Sequence, residues 1–291
     1  MHDIVRTVVT IASSQLVTLL ALDVGLMLRV EDLRREIKNP VLWRTLLVAL
    51  VAVPMLAILI ALVLPLGPIA RGALVLMSVS PGAPLMINKV RGPSGNLALA
   101  ATVAVALTLA ALVTLPIELL VLNRLFPLHL QASVPALLRM LVPRLLIPLA
   151  LGVAARLVWS KGAEVLERVV RAVFLIALAL VAIAALATAW HQIGRIGPFG
   201  WLAMILITLG ATVLGDFVGG RDPRDRKTAA YAVVLGNPAV AIQVATHSYP
   251  SLKAAPVMVA YVVLRAILVL PYALVSRRRL RMGGPRAVPG T

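Results

Sequence analysis

Cysteine is absent from this chain, which excludes disulfides, thiolate metal sites and cysteine nucleophiles. Acidic residues are scarce: 11 Asp and Glu stand against 28 Lys and Arg, a net charge of +17. Charged residues of both signs amount to 13% and aromatics to 4%. No carboxylate pair stands at catalytic spacing, the four histidines show no paired metal-ligand spacing, and there is no Gly-rich phosphate loop or Ser-His-Asp set. No enzyme is therefore expected, and no metal or cofactor. What the chain does contain is apolar: 61% hydrophobic residues and a mean hydropathy of +1.00. That composition belongs to a polytopic membrane protein. In a soluble protein so basic a balance would suggest nucleic acid. Here the charge falls in short loops between apolar runs, where membrane topology accounts for it.

Nine apolar stretches follow one another, at approximately 8–28, 42–64, 70–87, 97–122, 134–157, 165–189, 199–219, 229–245 and 255–276. Each approaches the roughly 20 residues that about 30 Å of hydrocarbon demands at 1.5 Å per residue. The first lacks a small-residue cleavage site with a polar sequel, so it reads as a span rather than a cleaved signal. Connections are short, giving one transmembrane domain over 1–291 that ends in a short basic tail, 279–291. With the N-terminus outside, the inner connections and the tail hold most of the 28 Lys and Arg, among them Arg29, Arg34, Lys89, Arg91, Arg156, Arg171, Arg226, Lys227 and Arg277. The positive-inside rule then places the N-terminus out and the C-terminus in the cytoplasm, in the plasma (inner) membrane.

Two of the nine stretches are interrupted. In the eighth, YAVVLGNPAVAIQVAT, the triplet Gly236, Asn237 and Pro238 sits mid-run. Proline removes a backbone donor and pushes the preceding residue out of the helical region, so the helix opens near Asn237. The third stretch is broken in the same way by Ser80, Pro81, Gly82 and Pro84. Bare N–H and C=O groups inside a bilayer are tolerated only where protein or a water-filled cavity satisfies them, and paired broken spans point to a secondary transporter with its site at the midplane. The third and eighth spans lie an odd number apart and so cross the membrane in opposite senses, as an inverted repeat requires. Repeat one covers about 1–127 and repeat two about 128–278, with the leading helix of repeat one missing.

The run VGLMLRVEDLRREIKNP at 24–40, the Ser-Pro-Gly of the third span followed by Gly95, Asn96, Leu97, Ala98 and Leu99, LIPLALG at 146–152, and Arg226-Lys227-Thr228 ahead of the Asn237 break resemble the bile acid:sodium symporter family. The resemblance implies an all-α inverted-repeat fold of ten helices, here in a form of about nine lacking the first, with a panel domain, a core domain and two crossed broken helices. It also implies transport of bile acids and other organic anions, commonly with sodium. This chain departs from the pattern that sodium-coupled members show. Met86 and Ile87 stand where those members carry a Ser-Asn pair, Ala232 and Gly236 where they carry Glu and Gln, and Ala49 near a further Gln. Of that oxygen set only Thr108 and Asn237 remain, and a hard cation needs a shell of oxygens.

Arg265 lies halfway along the ninth span, where an unpaired guanidinium costs at least about 2.5–3.5 kcal/mol. It is expected to hold the carboxylate of an anionic substrate, to close an ion pair that a proton could open, or to form a structural ion pair with Asp23 or Asp216. Asp23, just inside the inner end of the first span, reads as a proton carrier or as a partner of a loop arginine. Asp216 reads as a structural pair beside Arg221. The half-helices that begin after Pro84 and Pro238 are expected to present free N–H groups and positive dipole ends to an anion. Asn237 occupies the break. Asn88 reads as a substrate contact or as a solvated residue near the inner mouth, and Gln243 as a substrate contact or as one half of an interhelical hydrogen bond.

The expected function is a secondary active transporter of small or amphipathic organic anions, working by alternating access and not coupled to sodium through the family's usual sites. A proton, exchange or no coupling stays open. A sodium symporter using backbone oxygens at the breaks, or a transporter-derived membrane sensor, is the alternative. The expected partners are a small organic anion and the lipid bilayer, with no nucleic acid and no expectation about oligomeric state.

Overall fold

A computed structural model describes residues 2–80, 84–91, 95–126, 134–248 and 254–282, and every regular element among them is helical. Helix α1 (His2–Met27) leads through a short α2 (Val30–Glu36) to α3 (Pro40–Leu47). Asn39 caps α3, its Oδ1 accepting the Val41 N–H at 3.0 Å, with Pro40 in the first turn where a missing donor costs nothing. A π-helical turn, Val48–Ala52, carries the chain on into α4 (Val53–Val63). That turn contains Leu50, whose carbonyl would meet the ring of Pro54 in a regular α-helix.

Helices α5 (Pro68–Ser78) and α6 (Pro84–Val90) are the two halves of the interrupted third stretch. Next come α7 (Leu97–Leu125), α8 (Val134–Val158), α9 (Ser160–Gly194) and α10 (Gly197–Val218). The second interrupted stretch is α11 (Pro223–Leu235) and α12 (Pro238–Ser248), and the chain closes with α13 (Ala255–Leu268) and α14 (Leu270–Met282). The expected break at Asn237 is therefore present, and in the third stretch α5 ends at Ser78 and α6 begins at Pro84.

Among the described residues, six helical stretches are long and apolar enough to cross a membrane by length and composition: Pro40–Val63, Leu97–Leu125, Pro135–Val158, Gly197–Val218, Pro223–His247 and Ala255–Leu280. The other three stretches read from the sequence fall on α1, on α5 with α6, and on α9. Burial separates these spans by position. Over an 18-residue window Pro223–His247 is 94% buried, whereas the corresponding windows of the other five are 33–44% buried. The broken α11–α12 is thus the centre of the molecule, and large apolar side chains such as Val63, Val113, Ile176, Leu180 and Phe217 point outward around it.

Helix α1 packs along α8 and α9, and α10 packs along α11. The first of these contacts is close because two glycines face each other. A Cβ on Gly25 would lie 2.3 Å from the Leu149 carbonyl oxygen, and one on Gly152 would lie 2.6 Å from that of Leu22. At the centre, α5 packs on α12 while α6 packs on α11, so the two broken helices pass each other half against half.

Candidate functional site

The two breaks are joined by the backbone. Asn237 N–H donates to the Ser80 carbonyl at 3.0 Å, so each interruption satisfies a group that the other leaves bare. Gly236 makes the turn possible with φ +58° and ψ −164°, a conformation that residues with a Cβ adopt only under strain. Asn237 then caps α12: its Oδ1 accepts the Val240 N–H at 3.2 Å and its carbonyl accepts the Ala241 N–H. The cap narrows the expectation of an open, donor-rich end after Pro238, because Asn237 takes up the Val240 N–H itself.

Arg265 enters the crossing from α13. It is 4% exposed, and its Nη1 donates at 3.0 Å to the carbonyl of Leu235, an acceptor that the end of α11 leaves without a helical partner. Its guanidinium lies 4.2 Å from the centroid of the Tyr261 ring, a cation–π contact. A Cβ built on Gly236 would come within 3.0 Å of Nη1, 3.5 Å of the Met77 carbonyl oxygen and 3.6 Å of the Ser80 carbonyl oxygen. Arg265, Gly236 and the end of α5 thus share one neck.

No carboxylate pairs with Arg265 among the described residues, and its Nε has no hydrogen-bond partner. The ion pair expected with Asp23 or Asp216 does not form, because both acids are occupied elsewhere. Asp23 accepts from Nε and Nη2 of Arg171 at 3.2 and 2.9 Å. Arg171 also reaches Glu167 at 2.7 Å, and Glu167 pairs with Arg91. Asp216 is bound by Arg226, by Arg279 at 2.9 Å and by the Tyr272 hydroxyl at 2.8 Å, not by Arg221.

The remaining candidates are dispersed. Thr108 donates at 2.7 Å to the Ala104 carbonyl of its own helix. Gln243 is buried with neither amide atom partnered, so the interhelical bond weighed for it is not made among the described residues. Pro84 opens α6 and Asn88 stands within it, while Pro81 and Gly82 lie outside the described residues.

A cavity of about 590 Å³ runs from this neck along α11, α13 and α14. Five cationic side chains line it: Arg265 at the crossing, and Lys89, Arg91, Lys227 and Arg277 beyond it. No carboxylate is among its lining residues, and much of its wall is apolar, including Val262, Ala266, Val269 and Leu270. Low-dielectric walls strengthen the field of these charges, of which Arg91 is offset by its pairing with Glu167.

The sequence reading used Lys89, Arg91, Lys227 and Arg277 only as loop charges that set topology. Nothing in their spacing shows that they converge, although Lys227 is buried and lies 5.9 Å from the Tyr231 ring centroid. It also passed over Glu118, a carboxylate inside the long apolar α7 whose Oε2 is buried without a partner. An acid standing in an apolar run was the available signal.

Compared with known families, residues 15–196 match the model of the sodium bile acid symporter family. No curated protein matches the chain.

Proposed function

The chain belongs to the sodium bile acid symporter family, whose members are secondary transporters and not enzymes, and from that premise we propose that it carries small or amphipathic organic anions by alternating access without sodium at the family's usual sites. One observation carries the reading: the cavity that reaches the crossed breaks is lined by five cations and no acid. Arg265 is the substrate-binding residue at its deep end. Gly236, Asn237 and Pro238 shape the neck, and Pro81, Gly82 and Pro84 of the other interrupted span are further substrate or coupling residues in this reading. The two halves, about 1–127 and 128–278, form one inverted-repeat domain with the N-terminus outside and the basic tail in the cytoplasm.

Two carbonyls at the breaks support independence from sodium. The Leu235 oxygen already accepts from Arg265 and the Ser80 oxygen from Asn237, so oxygens that could ligate an ion are engaged by N–H donors. Asp23, gripped by both arms of an Arg171 fork, is structural in this reading.

The test is accumulation of labelled organic anions into liposomes containing the purified protein, with sodium or potassium outside. Uptake of equal size in both salts, abolished by Arg265→Gln, is the expected result. Stimulation by sodium would favour a sodium symporter instead, and binding without accumulation would favour a sensor.

A further inference from the structure

Among the described residues, two large polar side chains are sealed in the core with nothing to bond. Gln243, on α12, is 4% exposed and neither of its amide atoms has a partner. Tyr261, on α13, is 0% exposed and its hydroxyl has none. Short hydroxyls avoid this fate: Ser78, Ser80, Thr108, Thr208 and Thr212 each donate to a carbonyl three or four positions back in the chain. Gln243 and Tyr261 also lie on the side of the crossing that the cavity does not reach. Helix α12 leaves the crossing at Asn237 and α13 returns to it at Arg265. Gln243, six positions on, therefore stands about 9 Å beyond the crossing and Tyr261, four positions before Arg265, about 6 Å, at 1.5 Å rise per residue. Helix α5 packs on both of these helices, and no lining residue of the cavity belongs to α5 or α12. Arg265 joins the two sides: it lines the cavity, yet its guanidinium lies over the Tyr261 ring and its Nε has no partner.

We propose that Gln243 and Tyr261 line a second half of the passage, closed in this structure, and that each donates a hydrogen bond to the anionic head of the solute as it moves past Arg265 when that side opens. The inference rests on the anion-transport reading above and adds to it two binding residues and a path. A buried donor left unpaired costs its full desolvation, whereas an apolar group of the same shape in its place does not. Packing alone is therefore better served by Phe at 261 and Leu at 243. An opened passage supplies the missing acceptor, as water or as an oxygen of the solute. The phenol O–H and the amide N–H are both donors, which suits a carboxylate or sulfonate oxygen, and a bond to a charged acceptor is about twice as strong as one to a neutral acceptor. Neutral donors also hold an anion without adding to the fixed charge that Arg265 already provides.

Because the chain holds no cysteine, Gln243→Cys and Ala273→Cys each carry a single thiol. A membrane-impermeant maleimide is applied to intact cells and, separately, to inverted membrane vesicles. Ala273→Cys, in the cavity wall, is expected to react from one side of the membrane and Gln243→Cys from the other. Tyr261→Phe and Gln243→Leu are each expected to lower uptake of labelled p-aminohippurate into phosphatidylcholine liposomes about tenfold, the equivalent of one hydrogen bond to a charged group. Their melting temperatures are expected to stay level or rise, since an unpaired buried group has been removed. A merely structural role would leave uptake untouched. Reaction of Gln243→Cys from neither side or from the same side as Ala273→Cys, or full uptake by both Tyr261→Phe and Gln243→Leu, would overturn the closed half-passage and leave anion transport standing. Failure of the unaltered protein to accumulate p-aminohippurate or any other organic anion would overturn the transport reading itself.

Discussion

Arg265 has every feature that makes a buried charge costly except a counter-ion. One carbonyl bond and one aromatic face compensate it in part. Arg265→Gln should therefore yield protein that purifies normally, since removing the charge also removes its desolvation cost, but anion uptake should fall to background. Arg265→Lys should transport weakly, because an ammonium cannot keep the Leu235 bond while presenting further donors in a fork. Uptake and monodispersity on size exclusion measure the two effects separately. Gly236→Ala should be harmful for a different reason. Its backbone conformation costs a residue with a Cβ about 1–3 kcal/mol, and the new methyl would press on Nη1 at 3.0 Å. A lower thermal midpoint and reduced uptake are expected, whereas Gly67→Ala, with open space around its Cβ position, should change neither. At this scale the sequence showed the glycine, the asparagine and the lone arginine plainly, since each interrupts an apolar run. It could not show Arg265's partner, which is a backbone carbonyl thirty positions away. Nor could it show that Asn237 would cap its own helix rather than leave the donors open.

Hydropathy and proline together located the long apolar elements, because both are local signals, whereas the short charged α2 lay outside every apolar run. Which helix lies on which was not legible, since the contact between α1 and α8 depends on glycines far apart in the chain. Gly25→Val should disrupt that contact. Its side chain would have to displace the Leu149 carbonyl, and overpacking of this kind costs about 1–3 kcal/mol. Loss of detergent-stable protein, read as a shift in melting temperature, checks it. The chain Asp23–Arg171–Glu167–Arg91 likewise ties α1 and α9 to the residue that follows α6. Arg171→Met should destabilise strongly, on the order of 3–5 kcal/mol, by leaving two buried carboxylates without their shared cation. The triple change Asp23→Leu, Glu167→Leu, Arg171→Met should recover most of that loss, which a thermal-shift series would reveal.

For the molecule as a whole, loop arginines and lysines carry an expected orientation and no information about shape. The positive-inside pattern treats Lys89, Lys227 and Arg277 as a sum, and a sum carries no information about convergence on one cavity. The buried α11–α12 at the centre makes that convergence possible, by drawing the inner ends of α6, α11 and α14 around a common axis. Because Lys89, Arg91 and Arg277 are exposed while Arg265 is buried, raising ionic strength should weaken the initial capture of anions more than their final affinity. Stopped-flow binding at two salt concentrations separates these. Arg265 is bonded into the frame and stays behind when its guest leaves. If the proposed anion moves with no cation travelling alongside, each transport event moves net negative charge, worth about 2.3 kcal/mol per charge for every 100 mV of membrane potential. An inside-negative cell would therefore drive such a carrier outward, as an exporter, and a potassium diffusion potential imposed on liposomes should speed anion movement toward the positive side.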